Sequence, residues 1–383
     1  MPNNILLFPP ALFGGGGGGV GGASPNRHLF VNGYGWSLGA DPSKYFTTIS
    51  GALAEALTLV PVPSQDNPVQ ITVYPAHYPE DPAISSAGIS LVGEPDMRSF
   101  ITPRIVGTLT VNLGAGIDRD LNHCTVQGFQ IDRLRFTGVN PQKLYLTNIV
   151  CENSADDTFV MDNTGLDAGL DDLPHLNLGV AAGPRRSQVI AQHLTLRCEG
   201  PVFRSLKKSA GDLEIFHGFI RQTPDTDIAI DYSGVGDAGS GFSTLVHVEI
   251  NGLISMAGNA PLTLFEDLVS STAPATSLIA QGSTSNLVVV ETVLTSLFSP
   301  LVSGVGPFFF DQNIEGAAGN GYAGTLNGGL GPLAILVEGV RNQRFRVAPP
   351  SAPGDWVGAP PTDAQTALNR IAAWVAAGLG PIP

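Results

Sequence analysis

One apolar pattern recurs along this chain and limits what it can fold into: apolar, any, apolar, any, any, apolar. It runs through Cys124, Val126 and Phe129, and again through Leu144, Leu146 and Ile149. It returns at Val248, Ile250 and Leu253, and at Val288, Val290 and Val293. Each copy alternates as a half-buried strand does, then slips phase by one residue. The residues at the slips are Gln127-Gly128, Thr147-Asn148, Asn251-Gly252 and Glu291-Thr292. A slip at Gly, Asn or Thr marks a corner where the chain bends while both arms still point inward. Weaker copies read at Leu194-Thr195-Leu196 and across Leu213–Phe219. The first two copies lie 20 residues apart, as do Leu196 and Phe216, and later spacings widen to 34 and 40, one turn plus a loop insertion. A strand-and-bend unit of about 20 residues, with no helix between copies, is a solenoid pattern. A sandwich would need tight hairpin turns between the runs, and Asn251-Gly252 is the exception that reads as one.

Pro68–Glu94 reads as the first turn of that solenoid. Val69, Ile71 and Val73 alternate with polar residues, a loop with Tyr78 and Glu80 follows, and Ile89-Ser90-Leu91-Val92 stops at Gly93. Upstream, Ile49, Leu53 and Leu57 recur at i+4 with Ala52 and Ala56 beside them, so one helical face is apolar. Thr47, Thr48 or Ser50 supplies the cap, and Pro61 and Pro63 stop the helix. A helix at about 47–60 is expected to cover the open end of the stack's core.

The ends differ from the middle. Residues 1–24 form an arm in which Ile5, Leu6, Leu7, Phe8, Leu12 and Phe13 stand beside Pro9-Pro10 and the Gly14–Gly19 run. An apolar plug on a glycine tether is suited to docking into a neighbouring subunit. The arm lacks a basic n-region and a small-residue cleavage site, so it is read as part of the mature chain. Residues 25–340 are the β-helix domain. Residues 341–383 are a Pro/Gly-rich linker and a helix opened by the capping box Thr362-Asp363-Ala364-Gln365. Leu368, Ile371, Trp374 and Val375 line one face of this helix and form a second docking surface.

Composition narrows the partners. With 19 Lys and Arg against 33 Asp and Glu, the net charge is −14, which argues against nucleic acid, whose phosphates need clustered basic residues. Arg185-Arg186, Lys207-Lys208 and the group Arg341, Arg344 and Arg346 read as solvated loop charges. Cys124, Cys151 and Cys198 form no CxxC pair and sit in β-like runs, as buried thiols do. No segment reaches the ~20 apolar residues of a membrane span. The Gly14–Gly19 run lacks the Lys-Thr of a phosphate loop, and no cofactor is expected.

Glu152–Asp172 holds seven acids: Glu152, Asp156, Asp157, Asp162, Asp167, Asp171 and Asp172. Asp156, Asp157 and Asp162 are the candidates for a carboxylate pair of the kind that hydrolyses glycosides. Asp167, Asp171 and Asp172 are the candidates for a Ca²⁺ site, although EF-hand spacing is not met. The plainer alternative is a solvated acidic loop between rungs. His123, His193, His217 and His247 lie in or beside strand-like runs, where stacked rungs could align some of them. They read as hydrogen-bonded wall residues.

The segments Phe46–Ala56, Ile71–Glu80 and Ile89–Glu94 together resemble the opening of pectin-lyase-like right-handed β-helix proteins. That opening is a cap helix, a first rung ending in a Pro-Gly-x-Tyr-x-Glu-like loop, and a Leu-x-Gly turn. The resemblance implies an all-β, right-handed parallel β-helix with an N-terminal cap helix and a short C-terminal helix. It does not imply one activity, because the superfamily holds lyases, hydrolases, esterases and non-enzymatic viral proteins. The Gly-x-Gln-Asp-Thr and Asp-Phe-Ile-Phe-Gly motifs of its methylesterase-like members are absent, so their catalytic residues do not carry over. The stretch from Pro360 to Pro383 resembles the C-termini of tailed-bacteriophage virion proteins. The resulting expectation is a non-enzymatic virion structural protein, a capsid decoration or tail or fibre component. It would be a homotrimer anchored by its arm, bound to other virion proteins, with a host surface glycan as a further candidate partner. The alternative is a polysaccharide-degrading β-helix, a phage depolymerase or secreted lyase or hydrolase.

Overall fold

A computed structural model of the chain describes residues 27–35, 41–95, 101–114, 116–170, 184–232, 241–256, 261–273, 277–282, 285, 287–290, 292–296, 302–304, 308–311 and 322–323. The docking residues Ile5 to Phe13 and Leu368 to Val375, and the acids Asp171 and Asp172, lie outside them.

The described strands join into one large parallel sheet, a β solenoid with three faces per turn. The first face begins His28–Val31, Val69–Val73 and Ile89–Gly93, and continues through the opening halves of His123–Phe136, Lys143–Asn153, Gln188–Glu199, Asp212–Thr223 and Ser243–Asn251. It ends with Leu262–Phe265, Leu287–Val290 and Phe308–Asp311. Most of these strands turn a corner and continue onto the second face, which Leu268–Ser271 and Val293–Ser296 extend. The third face stacks Phe159–Met161, Leu206–Lys208, Ile228–Asp231, Leu253–Met256, Ile279–Gln281 and Val302–Gly304. The exception is the antiparallel pair Leu166–Leu170 and Pro184–Arg186.

The core is built from columns. Leu29, Ile71, Leu91, Val126, Leu146, Ala191, Ile215, Leu245, Leu264 and Val289 meet in register, one per turn, and all are buried. Removing such side chains from water contributes about 1.5–3 kcal/mol for each large aliphatic. The 20-residue repeat is real where Cys124, Val126 and Phe129 sit over Leu144, Leu146 and Ile149. Elsewhere the phase read from the sequence is off. Leu196 pairs with Ile220 rather than Phe216, and Phe216 faces outward beside Gln192. Leu194-Thr195-Leu196 follows the corner, while the inward residues before it are Val189 and Ala191. The core takes Leu287 and Val289, not Val290. The cause is that every strand alternates on both sides of its bend, so apolar spacing alone does not say which bend it straddles. Asn251-Gly252 is such a bend: it joins Ser243–Asn251 to Leu253–Met256 on another face, which removes the hairpin reading.

The predicted helix at 47–60 forms as α1, Ile49–Thr58, with Ile49, Ala52, Leu53 and Ala56 buried; Leu57 faces solvent. Thr48 is the cap, accepting from Gly51 N at 3.1 Å. Glu80 supplies the rest: its carboxylate accepts from Ile49 N at 2.7 Å and Ser50 N at 2.9 Å. A carboxylate at a helix N-terminus satisfies free N–H groups and opposes the positive end of the helix dipole. Tyr78, from the same loop, is buried and donates its hydroxyl to Tyr74 O at 2.7 Å.

Candidate functional site

The acidic stretch folds around cations brought by neighbouring turns. Asp156 accepts from Arg133 at 2.9 Å and from Arg135 at 3.1 Å, both one turn earlier. Burial pushes its carboxyl up, but the Asp157 N–H and the two guanidiniums outweigh it and hold it below the usual carboxylate value. Asp157 faces Lys207 Nζ at 3.3 Å and accepts from Arg204 N at 2.8 Å, one turn later. Asp162 stands exposed after Phe159–Met161 and is not clamped in this way; desolvation outweighs the Arg135 charge and lifts its carboxyl. Asp167 is buried and accepts from Gly169 N at 2.6 Å, Arg119 N at 2.9 Å and Arg185 at 2.7 Å.

Arg185 is the hub of the stretch, reaching Asp118 at 3.2 Å and Asp120 at 2.6 Å as well as Asp167. Lys143 also pairs with Asp120. The expectation of solvated basic loops therefore fails at Arg185, and it fails again at Lys208. Lys208 is 1% exposed, donates to Gly241 O at 3.1 Å and lies 5.5 Å from the centre of the Tyr232 ring. Burial lowers its ammonium below the usual lysine value. Beside it, the buried pair Arg119 and Asp212 meets at 3.1 Å. These partners are far apart in sequence, and the stacking of turns brings them together. Cys124, Cys151 and Cys198 are buried free thiols, as expected, and burial raises all three.

The histidines divide. His123 is bonded through Nδ1 to Asp120 O at 2.7 Å, a wall residue. His193, His217 and His247 occupy one corner, between the first and second faces, on three successive turns. Their backbones are left-handed, with φ of 55°, 58° and 55°, as are Asn148 at 53° before them and Glu266 at 53° after them. Gly128 opens this column at φ 77°, where a Cβ would stand 2.7 Å from Gly93 O. In the turns after Gly128, the corner holds side chains. Asn, Asp and His are the non-glycine residues that best tolerate this conformation. The rings stack: His193 on His217 at 5.4 Å and 17°, and His217 on His247 at 4.9 Å and 18°. All three side chains face solvent, and His247 Nε2 bonds to the Glu266 carboxylate. Desolvation and the two neighbouring imidazoles hold His217 below the ordinary histidine value.

The sequence showed four histidines in strand-like runs and raised their alignment, but did not show that three share one corner. The signal was the equivalence of Asn148 with His193, His217 and His247, visible only with correct register. Missed entirely was Asp267, buried directly behind this corner, with Val248 N and Phe265 N donating to it at 2.6 and 3.0 Å. Among the described residues, no group of three or more His, Cys, Asp or Glu side chains is placed to hold a metal ion. No described helix is long and apolar enough to cross a membrane. No family model, no curated protein and no solved structure matches this chain.

Proposed function

We propose that this chain is a non-enzymatic structural protein of a tailed-phage virion, a capsid decoration or tail or fibre component. Its β solenoid is right-handed, the hand that parallel crossovers take in nearly all cases. Helix α1 caps the first turn, the apolar arm anchors the chain to a neighbouring subunit, and the assembly is a homotrimer. The observation that carries the non-enzymatic part is the use made of the acids. Asp156, Asp157 and Asp167 are each engaged by basic side chains, so they serve to fasten turns and loop together. The virion part rests on the arm and on the tail, whose sequences require partners. Mass spectrometry of purified particles tests it: the chain is expected at a fixed copy number divisible by three. Particles lacking it, or a purified chain that sizes as a monomer with a protease-sensitive arm, would overturn the reading.

One observation favours the second reading, a polysaccharide-degrading enzyme. Asp162 is exposed and, unlike Asp156, Asp157 and Asp167, makes no ion pair with a basic side chain among the described residues, which leaves its carboxyl open to a substrate. Release of reducing ends from host surface glycan, abolished by Asp162→Asn, would establish that reading in place of the first.

A further inference from the structure

One corner of the solenoid carries an apolar strip. Among the described residues, Val60, Val62, Ile117, Leu121, Val139 and Leu166 are half of the large apolar side chains that stand in solvent, at 49–94% exposure. All six sit in the segments that lead into the first face. Those segments touch in series: Ser86 donates to Pro63 O at 3.0 Å, Gly114 N to Ser85 O at 2.9 Å, Asn122 to Pro141 O at 2.8 Å, and Ser187 to Asn140 O at 3.2 Å. The strip therefore follows the stack from the turn of Val69–Val73 to that of Gln188–Glu199, four steps or about 19 Å at the spacing of parallel strands. Its apolar side chains do not hold the corner together. Polar ones do, from inside. Gln142 accepts from Leu113 N at 2.6 Å and donates to Thr137 O at 2.6 Å, and Asn163 donates to Thr137 O at 2.8 Å; both amides are buried. A corner with its amides buried and its aliphatics in water marks a surface that a partner covers.

We propose that the arm segment Ile5–Phe13 of a neighbouring copy lies on this strip. The placement rests on the reading above, that the arm anchors the chain to a neighbouring subunit, and it names the surface that receives the arm. The chemistry matches, because no charged side chain stands among residues 1–26 and Ile5, Leu6, Leu7, Phe8, Leu12 and Phe13 are all apolar. The place of departure matches too. Arg27, the first described residue, is fastened at this corner by Pro61 O at 2.8 Å, Asn67 O at 2.9 Å and Pro68 O at 3.2 Å. The arm therefore leaves the solenoid beside Val60 and Val62. From Phe13 to Arg27 is a step of 14 positions that includes the Gly14–Gly19 run. A glycine-rich tether of that length has a root-mean-square reach of about 20 Å, close to the length of the strip. Such a match gives the highest effective concentration. About six extended residues cover 19 Å, fewer than Ile5–Phe13 provides, and Pro9-Pro10 favours an extended course. In a closed ring of copies with this corner inward, each arm leaves next to the strip of the adjacent copy, so each copy gives one arm and receives one.

Disulfide trapping in the full chain tests this. Leu7→Cys combined with Val139→Cys, once oxidised, should give covalent dimers and trimers on a non-reducing gel, with a 7–139 linkage found by peptide mapping. Leu7→Cys combined with Val202→Cys, an exposed position at another corner, should give no such linkage. Ile117→Asp combined with Val139→Asp changes only exposed side chains, so thermal unfolding of the solenoid should match the wild type. In that variant the trimer should fall to monomer, and proteolysis of the arm should quicken tenfold or more. Leu7→Asp combined with Phe8→Asp should cause the same loss. Trimers that survive the strip substitutions but not the arm substitutions would overturn this placement and leave the anchoring reading intact, as would equal linkage to position 202. Trimers that survive both sets, or a monomeric wild type, would overturn the two together. A 7–139 linkage closed within one chain would overturn the exchange between copies.

Discussion

By register, Asp267 puts a carboxyl group in the inward column that Phe129, Ile149, Leu194 and Val248 fill in earlier turns. Burial is the largest influence on it. Two backbone N–H groups pull its pKa down, Glu266 pushes it up, and the balance lifts it to about 8. A carboxyl raised in the fold stabilises most below its unfolded value, near 4, and that contribution is lost as pH rises through about 8. Stability should therefore fall on the order of 3 kcal/mol between pH 5 and pH 9 through this residue alone. Urea midpoints at the two pH values test this. Asp267→Asn should be weaker at pH 5, because its amide nitrogen faces a backbone donor, yet nearly flat with pH. An equal pH slope in both proteins would assign the slope to other groups. Gly128 is the second residue where one atom decides the outcome. Its φ is 77°, and a Cβ there would sit only 2.7 Å from Gly93 O, so Gly128→Ala should cost on the order of 2–3 kcal/mol. Asn148→Gly, at the same corner one turn on, should cost well under 1 kcal/mol by the same denaturation measurement.

Helix α1 shows how an element is secured by a residue far from it. Thr48 and Glu80 together serve the N–H groups of Ile49, Ser50 and Gly51. Thr48→Ala should cost about 1 kcal/mol, a usual value for a lost cap. Glu80→Ala should cost about 1–3 kcal/mol, because it leaves two donors and the dipole unopposed and detaches the helix from the Tyr78 loop. Limited proteolysis should then cut first near α1. Thr48 was legible in the sequence as one of three cap candidates, with Thr47 and Ser50, since local chemistry marks a cap. Glu80 was legible only as part of a loop, because it stands 31 positions from Ile49 and only the fold brings the two together. The same limit hid the acid–base clamps. Asp156, Asp157 and Asp162 read as candidates for a carboxylate pair or as part of a solvated acidic loop, because Arg133, Arg135 and Lys207, which engage the first two, lie a turn away in sequence.

At the scale of the molecule, each turn contacts chiefly the turns before and after it, so stability is close to a sum of turns and interfaces. Periodicity made this architecture legible, because a solenoid writes its repeat into the spacing of apolar residues. Register was not legible, because insertions such as the one between Phe159–Met161 and Gln188–Glu199 change the spacing without changing the stack. A linear stack makes a prediction that a single cooperative core does not. Ile220 is buried in the second-face column, between Leu196 before it and Ile250 after it. Ile220→Asp puts a carboxylate there with no cation in the column, a change expected to cost more than about 3 kcal/mol. Native-state hydrogen exchange should then lose protection in Gln188–Glu199, Asp212–Thr223 and Ser243–Asn251. The amides of Val69–Val73 and Ile89–Gly93, several turns away and held by α1, should keep most of theirs. Equal loss of protection across all these strands would mean that the turns unfold as one unit, and that nearest-neighbour coupling does not describe this protein.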